Sequence, residues 1–459
     1  MNVGGTLPAG WRWTTMGEIA EVVGGGTPRT SDRGNFEGGS IAWLTPADLS
    51  GYSEKYVSHG SRFITERGLG SSSARLLPEG TVMFTSRAPI GYAAIARNSI
   101  ATNQGFKSFV LKPGVLPDYV YWWLKGAKQL AESMASGTTF LELSGAKAKQ
   151  LPIPIAPIDD QRRIVAEIEK QFSRLDEAVA NLKRVKANLK RYNAAVLKAA
   201  VEGRLVPIEA ELARREGRSY ETGAALLQRI LNSQRSQSKG KDKYKEPAAP
   251  DTIDLPELPE GWVWARLDAI AALRGGITVD SKRKDPTARS VPYLRVANVQ
   301  RGYLDLAEVK HIDAPAADIE ELQLQPGDIL FNEGGDRDKL GRGWVWEGQL
   351  ADCIHQNHVF RARLYFSEVS SKLVSWWGNS FGKDYFLREG KQTTNLASIN
   401  LTKLSAFPVP LPPLTEQHRI AAEVDRRLSL VRGVEAEVDA NLKRAERLRQ
   451  SVLGRLFAG

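Results

Sequence analysis

Asp159 to Leu205 reads DDQRRIVAEIEKQFSRLDEAVANLKRVKANLKRYNAAVLKAAVEGRL. It holds no proline, and its first glycine is Gly203. Ile168, Leu175, Leu182, Leu189 and Val196 recur every seven residues, with Ala178, Val185, Tyr192 and Ala199 at the d positions between them. An apolar seam kept over about four heptads marks a coiled-coil helix. Pro157 and Asp159-Asp160 sit where a helix start belongs, and Gly203 sits at the stop. At about 1.5 Å per residue, Gln161 to Glu202 makes a rod roughly 60 Å long. Such a rod cannot bury its seam alone.

A partner helix lies in the same chain. Thr415 to Phe457 reads TEQHRIAAEVDRRLSLVRGVEAEVDANLKRAERLRQSVLGRLF. Moved on by 256 residues, the seam falls on Val424, Val431, Val438, Ala445 and Val452, with Val434, Asn441 and Leu448 at d. The rest of the chain repeats too. LPAGWRW (Leu7 to Trp13) returns as LPEGWVW (Leu258 to Trp264), and Trp122-Trp123 returns as Trp376-Trp377. LPIPIAPIDDQRRIVAEI (Leu151 to Ile168) returns as FPVPLPPLTEQHRIAAEV (Phe407 to Val424). Four tryptophan pairs in register imply a two-fold internal repeat of about 250 residues.

Composition narrows the function. The 459 residues carry a formal charge of +10 and a pI near 9.5, which favours a polyanionic partner, nucleic acid before membrane. A single cysteine, Cys353, rules out an intrachain disulfide and fits a reducing cytosol. Neither a leader-like start nor a bilayer-length apolar run is seen.

Each repeat reads as a mixed α/β globular head followed by a long helix. Short β-like runs such as Ala42-Trp43-Leu44, Val82-Met83-Phe84 and Val359 to Leu364 alternate with glycine and proline turns. The expected boundaries are 1–157 for the first head, 158–205 for the first helix, 257–412 for the second head and 413–459 for the second helix. Residues 206–256 read as a connection, helical over Pro207 to Arg215 and Gly223 to Leu231, then flexible and basic from Asn232 to Asp251. That linker permits parallel or antiparallel helices. Antiparallel packing is favoured, because the chain leaves the first helix at its C-terminal end and enters the second head there. The fold class is then a pseudo-two-fold tandem repeat: two mixed α/β heads joined by two long antiparallel coiled-coil helices.

The candidate nucleic-acid contacts lie in the heads' loops. Gly24 to Thr30 (GGGTPRT) either brings amides to phosphate, with Arg29, Thr30 and Arg33 beside it, or forms a plain turn. Lys282, Arg283 and Lys284 occupy the matching place in the second head. Ser86 and Arg87 follow a strand-like run, as do Arg337 and Lys339, while Arg295 lies in the run Tyr293 to Val296 and Asn298 follows it. Asn103 and Gln104 answer Gln356 and Asn357, and these amides either read adenine or satisfy loop backbone; Lys107, just beyond the first pair, is a further candidate. Thr138 and Thr139 answer Gln392, Thr393 and Thr394, either as phosphate contacts or as turns. Cys353, His355 and His358 are spaced so that His358 points away from the other two on a strand, so no metal site is expected. No phosphate-binding loop, methyltransferase motif or catalytic constellation is visible.

The doubled LPxGW opening, the GGTP turn (Gly25 to Pro28), the doubled P-x-P…Q-x-R-I lead-in and the paired helices resemble the specificity subunit of type I restriction-modification systems, over essentially the whole chain. The resemblance implies two target-recognition domains, each reading half of a split DNA target. It implies an antiparallel spacer that docks two methyltransferase (modification) subunits, which carry S-adenosylmethionine, and a restriction subunit that translocates and cleaves. This chain would be non-catalytic, without a cofactor of its own, and cytoplasmic. Two other readings stay open: a coiled-coil adaptor that does not bind DNA, and an enzyme with unrecognised motifs. The seam residues named for helix packing are Ile168, Leu175, Leu182, Val185, Leu189 and Val196 against Val424, Val431, Val434, Val438, Leu448 and Val452. Val165, Phe172, Val179 and Leu428 are expected on faces that partners cover.

Overall fold

A computed structural model describes residues 6–137, 141–237, 245–278, 285–335, 339–392 and 397–457. The chain forms two compact units, Met1–Val185 with Glu437–Gly459, and Lys186–Ala436.

In the first unit a five-stranded sheet runs Ala20–Gly24, Phe106–Leu111, Val82–Thr85, Ala93–Ala96, Tyr56–Val57. A three-stranded sheet sets Ile41–Leu44 between Arg62–Ile64 and Ala101–Thr102. Ile41–Leu44, Val82–Thr85 and Ala93–Ala96 are buried at every position, so they read as continuous apolar runs rather than alternating ones. The second unit repeats the plan. Its larger sheet runs Ala271–Arg274, Val359–Leu364, Ile329–Asn332, Gly343–Val345, and its three-stranded sheet sets Arg289–Leu294 between Lys310–Ala314 and Ile354–His355. In both smaller sheets the central strand pairs antiparallel with one neighbour and parallel with the other.

The long helices run Ile158–Val201 and Leu414–Leu456. In the first unit Ile164, Ile168 and Phe172, from the start of one, share a core with Val452, Leu453 and Phe457 from the end of the other. In the second unit Val196, Ala200 and Val201 share a core with Ile420 and Val424. Start meets end in both, so the pair is antiparallel. The first helix ends as glycine dictates: Gly203 takes φ +67, and Arg204 N–H donates to Ala199 O at 2.8 Å.

The seam is displaced from its expected line. Ile168, Val196, Val424, Val431, Val438 and Val452 are buried, and Leu175, Leu182 and Leu189 are half-buried. The second line lies four residues after each of these, not three: Phe172, Val179, Lys186, Asn193 and Ala200 turn inward, as do Leu428, Glu435, Leu442, Arg449 and Leu456. Val185, Val434 and Leu448 are therefore 40, 45 and 45 % exposed, which corrects their assignment to the packing seam. Phe172 is corrected the other way. It is buried, edge-on to Trp122 at 5.0 Å and under the Arg449 guanidinium at 5.2 Å.

The connection is more ordered than expected. Glu209–Glu216 and Gly223–Gln237 are helices, so residues 232–237 extend a helix instead of opening the flexible linker. Leu226 and Ile230 are fully buried in the core of the second unit, because the helix has an apolar face to bury there.

Candidate nucleic-acid interface

Each head is fastened to its helix by the same bonds. Trp11 Nε1 donates to Asp160 Oδ2 at 3.2 Å, and Trp262 Nε1 donates to Glu416 Oε1 at 2.9 Å. These carboxylates sit in the first turn of each long helix, where its dipole favours an anion. Bonds from Arg163 and Trp11 hold the Asp160 carboxyl below its usual range. Burial instead pushes the Glu416 carboxyl up.

The next residue in each copy is a buried glutamine. Gln161 Nε2 donates to Gly114 O at 3.2 Å and Ala156 O at 2.9 Å, while its Oε1 accepts from Leu116 N at 2.9 Å. Gln417 Nε2 donates to Pro412 O at 2.8 Å, and its Oε1 accepts from Ser370 N at 2.9 Å. The proline-rich lead-ins pair with the opening motifs as two-stranded ribbons, Trp13 opposite Pro154 and Trp264 opposite Pro410. Prolines leave carbonyls without a matching N–H, and tryptophans use them: Trp123 Nε1 donates to Pro152 O at 3.0 Å, Trp377 Nε1 to Pro408 O at 2.8 Å. The repeated motifs are thus joints between head and helix. They position the heads and are spent internally.

A second set of loops converges in each head. In the first, Gly26 N–H donates to Thr102 O at 2.9 Å, Ser86 N–H to Gly105 O at 2.7 Å, and Leu143 N–H to Ser86 O at 2.9 Å. In the second, Ile277 N–H donates to His355 O at 2.8 Å, Glu333 N–H to His358 O at 2.9 Å, and Ile399 N–H to Glu333 O at 2.8 Å. One main-chain frame therefore gathers four loops in both heads. The glycines are needed for close approach: a Cβ at Gly25 would lie 2.0 Å from Asn103 O, and one at Gly276 would lie 2.0 Å from His355 O. The Gly26 amide, engaged with Thr102, does not point at a ligand.

The expected contact residues divide on this frame. Arg29, Thr30, Arg33 and Gln104 are exposed, and Thr27 Oγ1 bonds Gln104 Oε1. Arg33 lies 3.8 Å from Glu37. Arg87, from a loop, and Lys107, from the strand Phe106–Leu111, meet at Glu142, at 3.5 and 3.4 Å. Asn103 is half-buried and accepts from Gly105 N–H at 2.8 Å. Gln356, Asn357 and Lys339 are half-buried in the second head's loops. Arg295 lies 3.4 Å from Glu308.

Two assignments are corrected. Ser86 is fully buried and donates to Gly105 O at 3.1 Å. Asn298 is 3 % exposed; its Oδ1 accepts from Arg295 N and its Nδ2 donates to Asp305 O and Glu308 O, each at 2.9 Å, so it closes its own loop. Neither presents a group to a base. Thr138, Thr139, Lys282, Arg283, Lys284, Arg337, Thr393 and Thr394 lie outside the described residues, and Gln392 is described in its backbone alone, in the short strand Lys391–Gln392.

Cys353 and His355 are core residues, and burial lowers the His355 pKa to about 4. His358 stands at the surface against Glu333 at 2.5 Å. Among the described residues no group of three His, Cys, Asp or Glu side chains forms a metal cage. Sequence reasoning passed over Glu142 and Glu333. Acidic residues in a basic chain carried no pattern to select them.

Two β-rich heads on an antiparallel helix pair, each with a cluster of polar loops, define a tandem recognition scaffold. Residues 8–191 match the family model of the type I restriction modification DNA specificity domain. That stretch carries the specificity domain, and the chain is similar to curated specificity subunits of type I restriction enzymes. It is 31 % identical over 301 residues to the type I restriction enzyme MjaIX specificity subunit of Methanocaldococcus jannaschii, covering 65 % of this chain and 60 % of that relative. It is 20 % identical over 464 residues to the EcoKI specificity subunit of Escherichia coli K12, covering 99 % and 90 %. Two solved structures share the fold at 19 % identity. One is from a study of complex assembly and conformational transition of the type I R-M system, with TM-score 0.64 and 99 % of both chains covered. The other is the HsdS subunit of Thermoanaerobacter tengcongensis, with TM-score 0.57 and 100 % and 99 % covered.

Proposed function

We propose that this chain is the DNA-specificity subunit of a type I restriction-modification complex. Each head reads one half of a bipartite duplex target through its four-loop cluster. The helix pair holds the heads and docks two modification subunits, which carry S-adenosylmethionine, and a restriction subunit joins the assembly. The observation that carries this reading is the duplicated joint: a tryptophan-to-carboxylate bond and a main-chain amide bonded to a glutamine fix both heads to their helices. Two similar heads related by a repeat suit duplex DNA, whose strands are dyad-related. The charge of +10 supplies phosphate affinity. Tyr192, Leu430 and Val434 leave apolar surface on the helices of the second unit, as a protein partner requires. None of the described helices is long and apolar enough to cross a membrane. We place the complex in the cytoplasm, which the single cysteine favours.

Selection from randomised duplex DNA, with the chain co-expressed with its modification subunit, tests the reading. Two short motifs at a fixed separation are expected. No enrichment from an intact complex would refute DNA specificity and favour the adaptor.

A further inference from the structure

Each loop cluster holds a carboxylate where a DNA-binding surface should repel one. In the first head Glu142 Oε2 lies 3.5 Å from Arg87 Nη1, an ion pair, and its Oε1 accepts from Lys107 Nζ at 3.4 Å. In the second head Glu333 Oε2 lies 2.5 Å from His358 Nδ1. These carboxylates come from different loops, so they are not inherited repeat positions. Yet each stands on the shared frame: Glu142 precedes Leu143, whose N–H is a frame bond, and Glu333 supplies both an N–H and a carbonyl to the frame. Their side chains are 39 and 28 % exposed, open enough to meet a ligand.

Folding does not explain the pattern, since partly exposed ion pairs contribute little to stability. Phosphate binding does not explain it either, because a carboxylate beside an arginine cancels the charge that phosphate seeks. Base reading does. An arginine pinned by a carboxylate is aimed rather than free to swing, and aimed arginine donors match guanine O6 and N7, while a carboxylate accepts from cytosine N4.

We propose that Glu142 and Glu333 are specificity-determining residues that hold Arg87 with Lys107, and His358, off the phosphates and direct them to base edges, and that the first head reads a G·C pair through Arg87 and Glu142. This rests on the DNA-reading function proposed above.

The test uses the full complex with its modification subunits, comparing wild type with Glu142→Gln and Glu333→Gln by selection and by binding across a salt series. E142Q is expected to blur one G·C position in a single half-site, with glutamine favouring adenine there. It is also expected to strengthen binding to unrelated duplex. Its log–log salt slope should steepen by about 2, as Arg87 and Lys107 turn to phosphates at about 0.9 per contact. E333Q should alter only the other half-site. Arg87→Gln gives the same test from the cation side, at the same position as E142Q, should E142Q not fold. Unchanged motifs and slope in the folded variants would overturn the inference, as would loss at both half-sites from one substitution. Failure of the wild-type complex to enrich any motif would instead strike the proposed function itself.

Discussion

Replacing Gln161 with alanine removes a joint whose cost can be worked from its bonds. The side chain is 1 % exposed and satisfies Leu116 N–H and the carbonyls of Gly114 and Ala156. A hydrogen bond contributes about 1 kcal/mol net, and a buried group left unpaired costs about 1–3 kcal/mol. With three groups orphaned and some entry of water, Q161A should destabilise the first unit by about 3–5 kcal/mol. For a unit of this size that lowers the melting temperature by roughly 10 °C. Gln417→Ala orphans only Pro412 O and Ser370 N–H, so its cost should be smaller, about 2–4 kcal/mol. Urea unfolding followed by tryptophan fluorescence reads the stability, and hydrogen exchange at the Leu116 amide reads the joint directly. A loss under about 1 kcal/mol with the Leu116 amide still protected would refute the reasoning.

The displaced seam predicts that Val431→Ala costs about 1–3 kcal/mol in thermal unfolding, while Val434→Ala costs under about 0.5 kcal/mol. Equal effects would restore the original line. His355 predicts acid sensitivity in the second unit. Burial lowers its pKa to about 4, so the unfolded chain takes a proton below about pH 6.5 while the folded one does not. Stability is therefore full above that pH and falls on acidification, by on the order of 3 kcal/mol by pH 4, and His355→Leu should flatten this slope in a urea series. Glu209→Gln should destabilise the second unit by about 1–3 kcal/mol. Its carboxylate is 1 % exposed, 2.6 Å from Arg218 and 2.5 Å from Arg419, but both arginines reach water and are spared a fully buried orphan charge. Burial pushes Glu209 up, yet the Arg419 and Arg218 bonds hold it below its ordinary range, so this stability is present above about pH 4.5 and lost below it.

The helices were legible because a seven-residue period survives any local context. The duplication was legible because tryptophans in register are rare. The second seam line was misread because hydrophobicity pointed the wrong way. Val185 and Tyr192 lie three residues after Leu182 and Leu189, whereas the inward positions four residues on are Lys186 and Asn193. A heptad read from one helix cannot say on which side of its a positions the partner lies. Packing decides that, with Phe172 committed to the core of one unit and Ala200 to that of the other.

The doubled motifs that carried the resemblance are joints, whereas the GGTP turn belongs to the loop frame of the first head. Their conspicuous residues bond to one another across long sequence separations, Trp11 to Asp160 and Trp262 to Glu416. The loop clusters were less visible. Ser86 and Asn298 carry groups suited to nucleic acid, but main-chain atoms claim them. Glu142 matters through Arg87 and Lys107, which are 55 and 35 residues away. By itself the sequence determined the repeat and the helix pair, because periodicity and duplication are properties of one dimension. Only the tertiary structure decided which polar side chains are spent inside the heads, because hydrogen bonds between distant segments consume donors and acceptors that look available along the chain.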